Sequence, residues 1–182
     1  MGFLRILLSF QLFLLVFTGI AQEEEPLPWS AERRLNWADF KDESPDSSPV
    51  AALTASGISY SFSSMEQNGE MIADFTVTAF FYPTRSWVQD QLASAHILAH
   101  EQLHFDITEL FARKFRTRLA QSRFTDNIKA EVRSMFKQVN KELSEYQDRY
   151  DLETNSSRLL DRQREWQQKV YRELTKSGEV WE

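Results

Sequence analysis

The chain reads as an α+β protein, with an N-terminal antiparallel β-hairpin or small sheet packed on a C-terminal bundle of about three helices. Three observations predict this. All five prolines lie between Pro26 and Pro83. Neither glycine nor proline occurs from Thr84 through Ser177, and the absence of these punctuators over so long a stretch predicts helix with short polar breaks. Before Pro83, two runs alternate apolar and polar residues with the period of a half-buried strand.

The first segment, 1–21, reads as a cleaved signal peptide. It has one cation, Arg5, then an apolar run from Ile6 to Phe17 and a Gly19-Ile20-Ala21 ending with small residues where a signal peptidase cuts. The run is shorter than the roughly 20 residues of a membrane-spanning helix. No cysteine follows it, which excludes a lipoprotein anchor. The product is expected to be secreted or periplasmic, without a membrane anchor.

Residues 22–49 form an acidic, Pro-containing leader and a Ser/Asp/Pro loop, with a short strand or turn at Arg34–Phe40 packed through Leu35, Trp37 and Phe40. Residues 50–182 make up a single α+β domain. In it Ile58, Tyr60 and Phe62 alternate with serines, and Phe75, Val77, Ala79 and Phe81 form the second run. Asn68-Gly69 between them is a type I′ hairpin signal, although the loop looks longer than two residues.

The first helix is expected from near Ser86 to about Ser122. The second runs from roughly Thr125, as N-cap, to Tyr150, with Ile128, Val132, Met135, Phe136, Val139, Leu143 and Tyr146 on one stripe. The third, from about Arg158 to Lys176, carries Leu159, Leu160, Trp166, Val170 and Leu174 and stops at Gly178.

Composition narrows the function. With 182 residues the chain is long enough for a real core, and its 13% aromatic content argues against disorder. The absence of cysteine excludes disulfides, thiolate metal sites and a cysteine nucleophile. A net charge of −6 is a poor footprint for nucleic acid.

The chemistry lies on the first helix, where His100-Glu101-Gln102-Leu103-His104 reads H-E-x-x-H. Four residues advance about 400° around a helix, so both imidazoles share one face, a turn apart, and can reach one zinc ion. Glu101 sits about 100° round from His100. There it can take a proton from a zinc-activated water and pass it to the leaving amine. His96 continues the series, but it lies about 12 Å of helical rise from His104, too far to share an ion, and reads as a substrate-side or packing histidine. Asp106 and Glu109 point away from the ligand face. Arg113, Lys114, Arg116, Arg118 and Arg123 read as a solvated helix end whose cations complement the dipole. Arg85 reads as a substrate-orienting group or half of a loop ion pair. The tryptophans, Trp29, Trp37, Trp87, Trp166 and Trp181, read as packing anchors.

Leu35-Asn-Trp-Ala-Asp-Phe-Lys41, Ala52-Leu-Thr-Ala-Ser-Gly-Ile-Ser-Tyr60 and His100-Glu-Gln-Leu-His-Phe-Asp-Ile107 together resemble a bacterial family, domain of unknown function 922, described as secreted zinc-dependent proteases. Tyr150-Asp-Leu-Glu-Thr-Asn155, followed by Gln163 and Trp166, fits the same family. The resemblance implies an exported zincin-like domain with His100 and His104 as zinc ligands and Glu101 as catalytic acid/base. It also implies a departure, because the family commonly has a histidine after the Tyr-Asp pair, where this chain has Ser156 or Ser157.

A catalytic zinc ordinarily has three protein ligands. The oxygen donors available for the third place are Asp151, which is favoured, and Glu153 or Glu142. The chain is therefore expected to be a zinc-dependent metallopeptidase acting on a protein or peptide, which a strand of the 58–81 hairpin would bind by edge addition. The alternative is a non-catalytic envelope module that binds a peptide or cell-wall component, with structural zinc or none.

Overall fold

A computed structural model describes residues 25–46 and 48–178; the expected signal peptide and Trp181 lie outside them. Among these residues, antiparallel strands come first and three long helices follow, the α+β arrangement the sequence predicts. The strands are β1 (Leu27–Pro28), β2 (Ala52–Leu53), β3 (Ser56–Gln67), β4 (Glu70–Phe81) and β5 (Trp87–Val88). The helices are α1 (Ala95–Gln121), α2 (Ile128–Thr154) and α3 (Leu160–Gly178). One sheet has the order β1-β4-β3, and β2 pairs with β5 in a second.

The hairpin is tighter and longer than expected. β3 and β4 pair in register down to Gln67↔Glu70, leaving a two-residue turn at Asn68-Gly69. Both turn residues have positive φ, 54° and 80°, as a type I′ turn requires. Ile58↔Ala79, Tyr60↔Val77 and Phe62↔Phe75 are cross-strand pairs on the face that meets the helices. Tyr60 packs edge-on to Phe115 of α1 at 5.6 Å and against Phe136 of α2 at 4.7 Å.

α1 begins at Ala95, later than expected. Residues 83–85 and 90–92 form 3-10 turns, and Trp87-Val88 is spent on pairing with Leu53 and Ala52. Ser94 caps the helix through its Oγ, which accepts from the Ile97 amide. α2 starts at Ile128 after Asn127, and Thr125 is not its cap; the Thr125 hydroxyl instead bonds Glu131 at 2.6 Å. α2 then runs four residues past Tyr150 to Thr154. In α3, Trp166, Val170 and Leu174 are buried as expected, whereas Leu159 and Leu160 are about half exposed.

α1 is the shaft of the molecule. The sheet packs on one side of it and α2 and α3 on the other, so its buried residues run all the way round. Leu103, Phe105, Ile107, Leu110, Phe111, Ala112, Phe115 and Leu119 join one core with Ile58, Val77, Phe81, Val132, Val139, Tyr150 and Val170.

Burial all round also encloses polar side chains, which then need partners. Gln102 accepts from the Leu35 amide at 2.7 Å and donates to Asp106 at 2.9 Å. Asp106 also receives Trp29 Nε1 at 2.9 Å and pairs with Arg34 at 3.0 Å. The leader is thereby fastened to the shaft, with Leu35 and Phe40 in the core and a 3-10 turn at Trp37–Asp39 between them. Glu109 receives Arg113 and Arg116, each at 2.9 Å. These arginines are not a solvated face. Arg113 also reaches the Leu174 carbonyl, Arg116 the Val77 carbonyl, and Arg118 pairs with Glu142 of α2 at 2.6 Å. They bind α1 to the elements around it.

Candidate metal centre

His100 and His104 lie on the same face of α1, and α2 brings Asp151 to them. Asp151 Oδ1 is 3.0 Å from both Nε2 atoms, which are 3.3 Å apart. Among the described residues these three are the group whose ligand atoms lie close enough together to hold one metal ion. The other two oxygen donors are elsewhere: Glu142 pairs with Arg118, and Glu153 accepts from Trp166 Nε1 at 2.9 Å.

The protonation pattern around the ring nitrogens bears on whether a cation fits. Gln163 Oε1 can only accept, so the 3.0 Å contact makes His100 Nδ1 the donor. In the neutral ring that tautomer leaves His100 Nε2 as a lone pair facing a carboxylate oxygen at 3.0 Å, and in the protonated ring Nε2 donates to it. Either a proton or a metal cation therefore satisfies the contact, and zinc suits two imidazoles and a carboxylate. Gln163 also receives the Tyr150 hydroxyl at 2.7 Å, and Tyr150 stacks on the His100 ring at 4.5 Å. Neither residue's part in orienting the site is visible in H-E-x-x-H alone. Their only trace in the sequence is the tail that carries the family resemblance.

Electrostatics follow the same grouping. Burial pushes the Asp151 carboxyl up, but the imidazoles of His100 and His104 outweigh it and hold it well below the usual carboxylate range. Burial lowers His104, yet the Asp151 hydrogen bond and the negative charges of Glu101 and Asp151 leave its pKa raised. Burial is the main reason the Tyr150 hydroxyl stays protonated far above its ordinary range.

Glu101 stands apart from the other buried polar residues of α1. Its Oε2 is buried with no hydrogen-bond partner, where Gln102, Asp106 and Glu109 are all engaged. An unpaired buried carboxylate oxygen costs free energy, so it marks a place where structure alone does not explain the residue.

All four residues line a cleft of about 520 Å³. Pro49 through Thr54 forms one wall, Leu92 and Ile97 contribute to it, and Gln147 and Ser156 to Arg158 complete it. The hairpin residues 58–81 are not among those lining it, so the strand beside the candidate site is β2 and not β3 or β4. Arg85 lies over the Tyr82 ring at 5.4 Å and does not line it either. A second cleft, of about 590 Å³, between the leader and α3 contains none of His100, Glu101, His104 or Asp151.

His96 is not in the triad. Its Nε2 contacts the Ser157 carbonyl, in the turn between α2 and α3. That turn is unusual: Asn155, Ser156 and Ser157 all have positive φ, at 49°, 47° and 74°. A non-glycine residue in this region costs on the order of 1–2 kcal/mol. The turn is held by the Ser156 amide to Asp151 carbonyl bond at 2.8 Å and the Arg158 amide to Asn155 carbonyl bond at 3.2 Å.

No helix of the described residues is long and apolar enough to cross a membrane. The family described as bacterial protein of unknown function (DUF922) matches residues 30–158, well over half the chain. No curated protein and no solved structure matches it.

Proposed function

We propose a zinc-dependent peptidase activity for this chain, which belongs to the DUF922 family of bacterial proteins of unknown function. The observation that carries the reading is the meeting of His100 Nε2, His104 Nε2 and Asp151 Oδ1 beside Glu101, whose Oε2 has no hydrogen-bond partner among the described residues, at the wall of an open cleft. His100, His104 and Asp151 would hold the metal. A bound zinc ion supplies Lewis acidity, polarising an amide carbonyl and making water acidic enough to lose a proton near neutral pH.

The chain's own residues do the rest. Glu101 accepts the proton released by the attacking water and returns it to the departing amine nitrogen. Gln163 fixes the His100 ring through Nδ1, so that Nε2 is the nitrogen turned toward the site. Thr54 Oγ1 donates to the Glu101 carbonyl at 3.2 Å and ties the strand wall to the motif helix. Among the described residues β2 pairs with β5 on one side and with no strand on the other, so its second edge suits an extended peptide. The expected signal peptide puts the reaction outside the cytoplasm.

Three protein ligands favour this reading over the binding module with structural zinc. Structural sites close the metal with four, and catalytic sites keep a place open. The test joins metal analysis to hydrolysis. Purified full chain should bind about one equivalent of zinc, and Glu101→Gln should keep the metal while losing about 10²–10⁴-fold in peptide hydrolysis. Full hydrolysis by Glu101→Gln, or a chain that binds no zinc, would overturn the proposal.

A further inference from the structure

The cleft is chemically two-sided. On the β2 side its wall is apolar, with Val50, Ala52, Leu53, Leu92 and Ile97. The lining also carries Arg158, the single lysine or arginine among the described residues that face the cleft. The carboxylates among the described lining residues are Asp151, of the candidate metal group, and Glu101 beside it. Arg158 is exposed, and among the described residues its side chain makes a long 3.4 Å bond to the Asn155 carbonyl and no ion pair. Other arginines of the domain, such as Arg34, Arg113, Arg116 and Arg118, are paired with carboxylates.

The backbone that presents Arg158 is built at a cost. Three successive non-glycine residues, Asn155 to Ser157, are held in the left-handed region immediately before it. The His96 contact with the Ser157 carbonyl ties that turn to the first turn of α1. Strain of this kind persists where the surroundings over-determine it and clusters at binding and catalytic sites. A planar, permanently charged guanidinium on a fixed turn is suited to grip a carboxylate through paired N–H bonds.

We infer that Arg158 is a specificity-determining residue: the cleft takes a peptide that offers a carboxylate to Arg158 and an apolar side chain to the Val50–Leu53 wall. The carboxylate comes from an aspartate or glutamate side chain or from the peptide's C-terminus. This deepens the peptidase reading and rests on it for its catalytic readout.

The experiment compares zinc-loaded wild type, Glu101→Gln, Arg158→Gln and Arg158→Glu on a peptide library from a digested, denatured proteome, with cut sites mapped by mass spectrometry. Sites cut by wild type and not by Glu101→Gln should show an acidic residue, or the C-terminus, at a fixed distance from the cut. Arg158→Gln should slow cutting at those sites by tenfold or more, and Arg158→Glu should shift the preference to Lys or Arg there. Acidic side chains at that distance identify the first source, and peptides cut only near their free end identify the second. Cutting without an acidic preference, or a profile unchanged in Arg158→Glu, overturns this inference and leaves the peptidase reading standing.

Without any Glu101-dependent cutting the peptidase reading falls, and binding decides the inference. Wild type and Arg158→Gln are then titrated with acetyl-leucyl-glutamate amide, acetyl-leucyl-glutamine amide and acetyl-leucyl-leucine. The Arg158 Nε–H resonance, identified by its loss in Arg158→Gln, is followed by NMR. A shift with a carboxylate-bearing peptide and none with the glutamine amide upholds the site; no shift with either carboxylate overturns it.

Discussion

His100 Nε2 and His104 Nε2, one helical turn apart on α1, stand 3.3 Å from each other and at the same 3.0 Å distance from a single oxygen of Asp151. The closeness is mutual in its electrostatics: Asp151 raises His104, and the imidazoles lower Asp151.

Metal removal is the most direct consequence. Saturating zinc at a hundredfold over its Kd should stabilise the folded chain by about 2.7 kcal/mol, and a chelator should reverse this. Asp151→Ala, His100→Ala and His104→Ala should each abolish the zinc-dependent part of the melting shift. Calorimetry with and without zinc checks it, and a shift that survives all three substitutions places the ion elsewhere.

The pH dependence of the metal-free chain has a defined sign. His104, with its folded pKa raised, contributes stability that is complete below roughly 6.5 and is lost as pH climbs through the folded value. Asp151, with its folded pKa depressed, contributes stability present above roughly 3.9 and lost as pH falls toward the folded value. Both contributions coexist between these limits. Urea midpoints across pH 3 to 9 should therefore fall on both sides of that window, and Asp151→Asn should flatten the curve. Zinc competes with the His104 proton, so its apparent affinity should rise with pH through the raised value.

Gln163→Leu removes the acceptor used by both His100 Nδ1 and the Tyr150 hydroxyl. Loss of such a supporting hydrogen bond should weaken zinc binding about 10–100-fold. It should also cost about 1–3 kcal/mol of stability, because buried His100 Nδ1 loses its partner and the Tyr150 hydroxyl keeps only a long 3.4 Å contact to the His100 carbonyl. Competition with a zinc-sensitive dye and urea unfolding measure the two effects separately.

Asp106→Ala should release the leader and spare the metal. It strips a shared acceptor from Trp29, Gln102 and Arg34. The expected loss is about 1–3 kcal/mol for each buried donor left unpaired. Faster proteolysis within residues 25–40, at unchanged zinc stoichiometry, is the signature to look for.

Gly69→Ala isolates backbone strain from packing. A Cβ added there meets nothing within 4 Å, yet φ is +80°. The substitution should cost on the order of 1 kcal/mol through conformation alone. A small drop in the urea midpoint, with m unchanged, is the expected result.

Much of this was legible in the sequence because it rests on local rules. Alternation places Ile58, Tyr60 and Phe62 on the inner face of β3, and the positive-φ preference of Asn68-Gly69 sets the turn. The position of His100 and His104 on one face follows from helical period alone. Long-range partnering was not legible. Trp87-Val88 lies in the Gly- and Pro-free stretch after Pro83 and reads as helix, but it pairs with Ala52-Leu53 across more than thirty residues. Arg113 and Arg116 look like an exposed cationic end until Glu109, Val77 and Leu174 are seen beside them. Asp151 stood among three candidate oxygens because sequence gives the reach of a carboxylate and not its direction. The helix start shifted for a related reason, since tertiary pairing outweighed local propensity.

The enclosure of α1 on every side decides which parts can move. A helix gripped by a sheet, two other helices and the leader cannot tilt without disturbing all of them, so the imidazoles are held as firmly as the hydrophobic interior. The spacing of the two imidazoles therefore persists for as long as the interior stays packed.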